Sequence, residues 1–139
     1  MPISNSPYLR VTVGLFGLFA VGLGINALFN PPSALSLFQF SHPSARAPAN
    51  SIESAADGKL VDSLMMLYGA RDVALGTTLI STAYFGSRKA CAGVVLSGTF
   101  VALMDGFVSL RQIGRGQWDH WVYVPLGVVV AGLLAGIAD

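Results

Sequence analysis

The chain has 139 residues, of which 53% are hydrophobic and only 11% are charged, and its formal net charge is +1. Soluble domains carry about 25% charged residues, so this composition excludes a domain that faces water on all sides. The nearly neutral charge excludes the basic field that attracts nucleic acid. The single cysteine, Cys91, forms no intramolecular disulfide and makes no metal site on its own.

Four long apolar stretches predict membrane-spanning helices, because each approaches the ~20 residues that such a helix needs. Lipid offers no partner to an open backbone hydrogen bond, so the spans must be helical. The first stretch has no convincing signal-cleavage site and is expected to stay in the mature protein. The sequence thus predicts a single all-α domain over residues 1–139, an integral membrane four-helix bundle. Its predicted spans are Val11–Phe29, Leu60–Phe85, Ala90–Leu110 and Trp121–Ala138.

The connections between these stretches differ in length and in expected role. Gly86–Lys89 is a tight polar turn, so the second and third helices are expected to form an antiparallel hairpin. Pro31–Lys59 is long, and functional loops or lids are common among such connections. Within it, the apolar side chains of Ser33–Phe40 predict a short segment lying in the membrane interface between helices 1 and 2. His42–Asn50 is interpreted as an irregular linker, in which His42 is expected to be exposed and idle.

Aromatic residues at the start of the fourth stretch predict a membrane–water boundary, where amphipathic rings are favoured. They are Trp118, Trp121 and Tyr123. Basic residues divide too evenly between the two sides of the bundle for the positive-inside rule to fix the orientation. The protein is expected to be a multi-pass membrane protein, in the endoplasmic reticulum if the cell is eukaryotic.

Charged side chains inside the predicted spans are the most informative feature. Asp62, Arg71 and Asp72 lie in the second span with Tyr68 among them, and Asp105 lies in the third. A charge near the bilayer midplane costs at least ~2.5–3.5 kcal/mol on insertion scales. The helical period places Asp62 and Asp72 on one glycine-bearing face, and Asp105 on a face with small residues. Small residues mark the faces where helices meet in lipid, so these aspartates are expected to point into the bundle.

The antiparallel hairpin brings these residues to a common depth and predicts a polar pocket. Asn26, late in the first span, and His120, at the start of the fourth, border the same side as the aspartates. The pocket is expected to open toward the Pro31–Lys59 loop and to close toward the Gly86–Lys89 turn. Its mostly apolar lining, with a few polar groups at depth, predicts a lipophilic ligand that carries an oxygen-containing functional group.

The pairing of these charges leaves two interpretations open. Arg71 neutralises Asp72 or Asp105 in a buried ion pair that only fixes helix register, or the set performs acid–base chemistry. One arginine cannot neutralise three carboxylates, so at least one aspartate is expected to keep its proton near neutral pH. A carboxylate beside a carboxylic acid is a general base beside a general acid. For Asp62, which lies near the membrane interface, the alternative to a catalytic role is that water simply solvates its carboxylate.

The residue inventory favours proton transfer over other chemistry. No Cys/His cluster, no GxGxxG and no P-loop is present, so neither a metal nor a nucleotide cofactor is expected. Hydration, epoxide opening, ring closure and isomerisation remain, and epoxide opening suits the set well. One aspartate draws a proton from water or a substrate hydroxyl, Arg71 orients it, and a protonated aspartate or Tyr68 protonates the epoxide oxygen. The predicted catalytic residues are Asp72, Asp105, Arg71 and Asp62, and the predicted substrate-binding residues are Tyr68, His120, Asn26 and Trp118.

A resemblance supports the membrane-enzyme class. The stretch Gly69–Gly76, followed by Asp105 with Gly106 and then by His120, resembles a family of small four-span membrane proteins common in filamentous fungi. Most members are known only as a domain of unknown function. Some lie in biosynthetic clusters for polyketides and terpenoids, and a few resemble membrane-bound epoxide hydrolases or cyclases. The resemblance implies functional roles for Arg71, Asp72, Asp105 and His120.

Two other function classes stay open. A small-molecule or proton-coupled carrier also buries acids and an arginine, although four spans without an inverted repeat disfavour a monomeric transporter. A structural subunit of a membrane complex is the other alternative. Small-residue faces, such as Ala20 with Gly24 and Gly132 with Gly136, are candidates for contacts between helices or between copies of the chain.

Overall fold

A computed structural model describes residues 2–43 and 52–139, with side chains described for residues 2–43 and 56–139. The described residues are helical and contain no strand. The elements in chain order are a 3₁₀ turn Ile3–Asn5, α1 Pro7–Phe29, α2 Pro31–Leu37, α3 Ile52–Phe85, α4 Arg88–Ile113, α5 Trp118–Trp121 and α6 Tyr123–Ala135. The all-α prediction is confirmed. Most of the predicted linker His42–Asn50 lies outside the described residues.

The helices differ in extent from the predicted spans. α3 already begins at Ile52, before the predicted Leu60, because its first turns are polar and carry no hydropathy signal. The α3–α4 connection consists of two residues, since the Ser87 side chain caps α4 by accepting a hydrogen bond from the Ala90 amide at 3.2 Å. α6 ends at Ala135, before the predicted Ala138. Gly136 terminates it in the left-handed conformation, with φ 89°, which glycine adopts at no steric cost.

Three of the helical segments are long and apolar enough to cross a membrane, which supports a membrane protein. They are Pro7–Phe29, Arg88–Ile113 and Trp118–Ala135, the last of which joins α5 and α6. α3 is not among these three, because Arg71 and Asp72 lower the hydropathy of its central turns.

α1 and α3 pack closely along a seam of four glycines. A Cβ atom placed on Gly24 would lie 2.6 Å from the carbonyl oxygen of Gly69, and one placed on Gly17 would lie 2.6 Å from that of Gly76. The two pairings run in opposite chain directions, so α1 and α3 are antiparallel. The face with Gly69 and Gly76 was predicted on α3. On α1 the predicted pair Ala20 and Gly24 was half wrong, because Gly17 takes the second position.

α4 packs mainly on α6, and the two helix pairs share an apolar core near the α3–α4 turn. That core contains Val13, Leu79, Ala83, Cys91, Ala92, Val95, Val130, Ala131 and Leu134.

The chain begins and ends at this turn end of the bundle. The Ser4 amide donates to Asp139 Oδ1 at 2.9 Å, and Arg88 Nη1 lies 3.2 Å from Asp139 Oδ2. Arg10 Nη1 donates to the carbonyl oxygens of Ala83 and Gly86 at 2.9 and 3.2 Å. α2 and α5 lie at the opposite end of the bundle.

Candidate functional site

A cavity of about 500 Å³ lies between the α1–α3 pair and the α4–α6 pair. Its walls are mostly apolar, and its volume is within the range of pockets that bind drug-sized ligands. α1 contributes Phe16, Phe19, Ala20 and Leu23, and α2 and the residue after it contribute Ala34, Leu37 and Phe38. α3 and α4 contribute Tyr68, Asp72, Leu75, Leu79, Val95, Gly98, Thr99, Val101, Ala102 and Asp105, and α5 and α6 contribute Asp119, His120, Tyr123, Leu126 and Gly127.

A hydrogen-bonded cluster of four side chains joins α3 to α4 at one end of this cavity. The Tyr68 hydroxyl donates to Asp105 Oδ2 at 2.9 Å. Arg71 Nε and Nη2 donate to Asp72 Oδ1 at 3.1 and 3.0 Å. The same guanidinium reaches across to Asp105, with Nη1 at 3.4 Å from Oδ1 and Nη2 at 3.2 Å from Oδ2. One arginine therefore bridges two carboxylates on different helices.

The local sequence explains how α3 presents three of these side chains together. Tyr68 and Asp72 are four residues apart and therefore lie one above the other on the same side of the helix. Arg71 starts about 100° away, but its long side chain turns back and places its guanidinium carbon 4.0 Å from the centre of the Tyr68 ring. This cation–π contact holds the guanidinium level with both carboxylates.

The carboxylates are buried while the arginine is partly accessible. The side chain of Asp72 is 8% exposed, whereas those of Asp105 and Arg71 are 14% and 39% exposed. The long Arg71 stem leaves part of the guanidinium outside while its donors face inward. The cluster holds two carboxylates for one described cation, so it carries an excess of negative charge unless it also binds a proton.

α2 folds over the end of the cavity where a mouth was predicted. Phe38, just after α2, stacks on His120 with ring centres 4.7 Å apart and meets Tyr68 edge-on at 5.2 Å. Gln39, in the left-handed conformation with φ 61°, donates from Nε2 to Asp119 Oδ2 at 2.8 Å. These contacts tie the α1–α3 connection to α5, so the cavity end beside the carboxylates is covered by protein.

His120 lines the cavity and keeps one unused polar atom. Its Nε2 is buried and has no hydrogen-bond partner among the described residues. Buried polar atoms are nearly always paired in proteins, so this unpaired nitrogen, in a residue that lines the cavity, makes His120 a candidate contact for a ligand oxygen.

Not every predicted site residue reaches this cavity. Asp62 does not line it: its Oδ1 lies 3.2 Å from His42 Nε2, and its side chain is 43% exposed. Two helical turns and more separate Asp62 from Asp72 along α3, and this distance removes it from the cluster. The prediction that His42 is exposed was wrong, because this side chain is only 13% exposed and contacts Asp62.

Asn26 and Trp118 also lie away from the cavity lining. Asn26 is half-buried on α1 beside Ala27, which packs toward α3, whereas Leu23 occupies the cavity side of that helix. Trp118 is 69% exposed, and its ring meets Trp121 edge-on at 5.7 Å. The structure therefore does not bring these two predicted substrate-binding residues to the cavity lining.

Sequence reasoning missed two residues at the covered end of the cavity, Phe38 and Asp119. Phe38 belongs to the segment that was predicted to lie in the membrane interface, and its apolar neighbours were the only local signal. Its position against Tyr68 and His120 depends on how the connection folds back, which no periodicity encodes. The described residues contain no group of three His, Cys, Asp or Glu side chains arranged to hold a metal ion.

Residues 17–134 match the family described as Domain of unknown function (DUF4267). The chain belongs to this family. The matched range contains the glycine seam, the Tyr68–Arg71–Asp72–Asp105 cluster and His120. No curated protein matches the chain. No solved structure matches it either.

Proposed function

We propose that α3 is a fourth membrane span, which completes a four-helix bundle. Ser4 and Asp139 are hydrogen-bonded, so the two ends of the chain lie at one end of the bundle. An odd number of crossings would leave the two ends on opposite membrane faces, whereas α1, α3, α4 and the α5–α6 segment together make four. The cost of the charges in α3 is reduced because Asp72 and Asp105 share the Arg71 guanidinium inside the protein.

Tags that report their location test this topology directly. A glycosylation acceptor or a membrane-impermeant thiol label at the N-terminus and one at the C-terminus are expected to report the same side. Opposite sides would mean three crossings and would refute the fourth span.

We propose that the cavity is the active site of a membrane-embedded acid–base enzyme that opens an epoxide in a lipophilic substrate. The observation that carries this proposal is the pairing of Asp72 and Asp105 on Arg71 at the end of an apolar cavity. General acid–base catalysis needs two groups of opposite protonation state beside the reacting bond. Two neighbouring carboxylates that share one cation supply them when one carboxylate keeps a proton.

The hydrogen bonds and the burial suggest which carboxylate has which role. Asp105 accepts from the Tyr68 hydroxyl and from two Arg71 nitrogens, whereas Asp72 accepts from two Arg71 nitrogens and is the more buried of the two. More donors stabilise an anion and burial destabilises it, so we assign Asp105 as the base and Asp72 as the carboxylic acid. The Tyr68 hydroxyl, which donates to Asp105, orients the base or passes a proton to it.

The proposed step balances without any cofactor. Asp105 takes a proton from water, directly or through Tyr68, while the water oxygen bonds to an epoxide carbon, and the carbon–oxygen bond of the ring breaks. The released oxygen takes a proton from Asp72, and the product is a vicinal diol. A proton then returns from Asp105 to Asp72. If a substrate hydroxyl replaces water, the same step forms a cyclic ether.

The other cavity residues have supporting roles in this proposal. His120 Nε2 donates to or accepts from an oxygen of the substrate, and the Phe38 ring shields the reacting groups from bulk water. The resemblance to proteins of natural-product pathways favours a polyketide- or terpenoid-type epoxide. In a eukaryotic cell we expect the protein in the endoplasmic reticulum membrane.

Purified protein in detergent, supplied with a terminal epoxide of farnesol in water enriched in heavy oxygen, tests the proposal. The parent protein is expected to form a diol that contains one heavy oxygen atom. Asp72→Asn and Asp105→Asn are expected to lower turnover by about 10²–10⁴-fold, the usual contribution of an acid or base. Asp62→Asn is the matched control on α3, because Asp62 lies outside the cavity.

Other outcomes would replace the proposal. Equal turnover by Asp72→Asn, Asp105→Asn and the parent would refute acid–base catalysis by this cluster. Uptake of the compound into sealed vesicles without conversion, lost in the same two variants, would identify a carrier. A protein that is stable only with a co-purifying partner would indicate a structural subunit.

A further inference from the structure

We infer, on the basis of the proposed function, that the substrate is an extended chain with its epoxide near one terminus. The chain would run along the cavity toward the α3–α4 turn, and Gly98 would set the length that fits.

The position of the epoxide is inferred from the distribution of polar side chains along the cavity. The charged side chains of its lining, together with Tyr68 and His120, lie at the end covered by α2. The opposite end is formed by Leu79 and Val95, which belong to the apolar core beside the α3–α4 turn. The Thr99 hydroxyl donates to the Val95 carbonyl within its own helix, at 2.8 Å, and is therefore already paired. A ligand is thus offered polar contacts at one end only.

The dimensions favour a chain over a compact ring system. The cavity follows α3 from Tyr68 to Leu79, which spans about 16 Å at 1.5 Å per residue. The reacting groups occupy the first turn of this length, from Tyr68 to Asp72, at the end covered by α2. About 10 Å of apolar length then remains between Asp72 and Leu79. A mid-chain epoxide would require apolar chain on both sides of the carboxylates, but Phe38 closes the space beyond Tyr68.

Gly98 occupies the wall of the apolar half. A Cβ atom placed there would lie 3.6 Å from a methyl group of Leu75, in van der Waals contact, so a side chain longer than a methyl group would have to enter the lumen or displace Leu75. Both residues line the cavity, and they lie between Asp72 and the closed end. A leucine at position 98 would fill the passage to the closed end while leaving the carboxylate cluster untouched.

Two epoxides of one linear hydrocarbon test the position of the reactive group. The isomer with a terminal epoxide is expected to have a kcat/KM at least about tenfold above that of the mid-chain isomer, as apolar pockets discriminate by such factors. Equal values would overturn the inference.

The length determinant is tested with Gly98→Leu against Gly93→Leu. Gly93 lies on the exposed face of α4 with no atom within 4 Å of an added Cβ, so it controls for a leucine in the same helix. Gly98→Leu is expected to lose at least about tenfold more kcat/KM for long terminal epoxides than for short ones. Gly93→Leu is expected to match the parent for both. Loss for short and long chains alike would refute the assignment of Gly98.

A binding measurement separates this inference from the proposed chemistry. A long primary alcohol, which cannot be turned over as an epoxide, is expected to raise the thermal unfolding midpoint of the parent. The mid-chain alcohol is expected to raise it less, and Gly98→Leu is expected to lose the shift. That pattern without any epoxide turnover would refute the enzyme and support the binding geometry. Equal shifts by the two alcohols would overturn the geometry, whether or not the protein proves to be an enzyme.

Discussion

The glycine seam between α1 and α3 allows a sharp prediction about stability. Gly24→Ala would place a methyl group 2.6 Å from the Gly69 carbonyl oxygen and 2.8 Å from Val73. The backbone cannot rotate out of the way as a flexible side chain would, so the two helices must separate. Gly22→Ala is the matched control, because Gly22 lies on the exposed side of the same helix with no atom within 4 Å of an added Cβ.

The magnitude follows from two opposing contributions. Inserting a methylene-sized group into a well-packed contact costs about 1–3 kcal/mol. Replacing glycine by alanine in a helix returns up to about 1 kcal/mol, and this gain is common to both variants. The difference between Gly24→Ala and Gly22→Ala therefore isolates the clash, at about 1–3 kcal/mol of unfolding free energy.

Reversible unfolding in mixed micelles, followed by circular dichroism, measures this difference. Gly69→Ala is expected to behave as Gly24→Ala does, because a Cβ there would lie 2.6 Å from the Gly24 carbonyl oxygen. Since Gly69 adjoins Tyr68, turnover is expected to fall in both seam variants and to persist in Gly22→Ala. Equal stability of all three variants would mean that α1 and α3 do not pack through this seam.

Three further predictions concern the cluster and the ends of the chain. Tyr68→Phe removes the hydroxyl that donates to Asp105 but keeps the ring, and is expected to lower turnover by about 10²-fold in the epoxide assay. Arg71→Lys keeps the charge but loses the planar fork that reaches two helices, so kcat is expected to fall in the same assay. The hydrogen bond from the Ser4 hydroxyl, with smaller contributions that include Arg88, lowers the pKa of Asp139. This carboxylate therefore stabilises the fold above its unfolded pKa of about 3.9. That stability is lost as the pH falls through the folded pKa, and Asp139→Asn is expected to flatten the acid limb of the unfolding midpoint against pH.

Each of these predictions has a result that would contradict it. Unchanged turnover in Tyr68→Phe would remove the hydroxyl from the proton path and leave only its ring as a support for Arg71. Arg71→Lys with parental activity would mean that a point charge suffices and that the bridging geometry is incidental. A parental acid limb in Asp139→Asn would show that the contact between the two ends of the chain contributes nothing to stability.

The sequence by itself determined the helical class and the presence of membrane spans. An apolar stretch of about 20 consecutive residues satisfies its own backbone hydrogen bonds in lipid as a helix, so composition and length suffice for this conclusion. The helical period also located the buried face of α3, on which Met65, Gly69, Asp72 and Gly76 are all buried. Charges in an apolar context then identified Arg71, Asp72 and Asp105 as a group, because an unpaired charge there is costly.

Only the tertiary structure decided which polar residues meet. Asp62 shares the face of Asp72 by periodicity, yet it contacts His42, whose position depends on the fold of the long connection. Gly17 rather than Ala20 completes the seam, because the partner's carbonyl oxygens and not the spacing of small residues select the contact. Phe38 covers the cavity because the connection after α2 folds back and packs this ring against Tyr68 and His120. Periodicity fixes directions within one helix, whereas the rotation and register between helices, and the return path of a connection, arise from packing across the bundle.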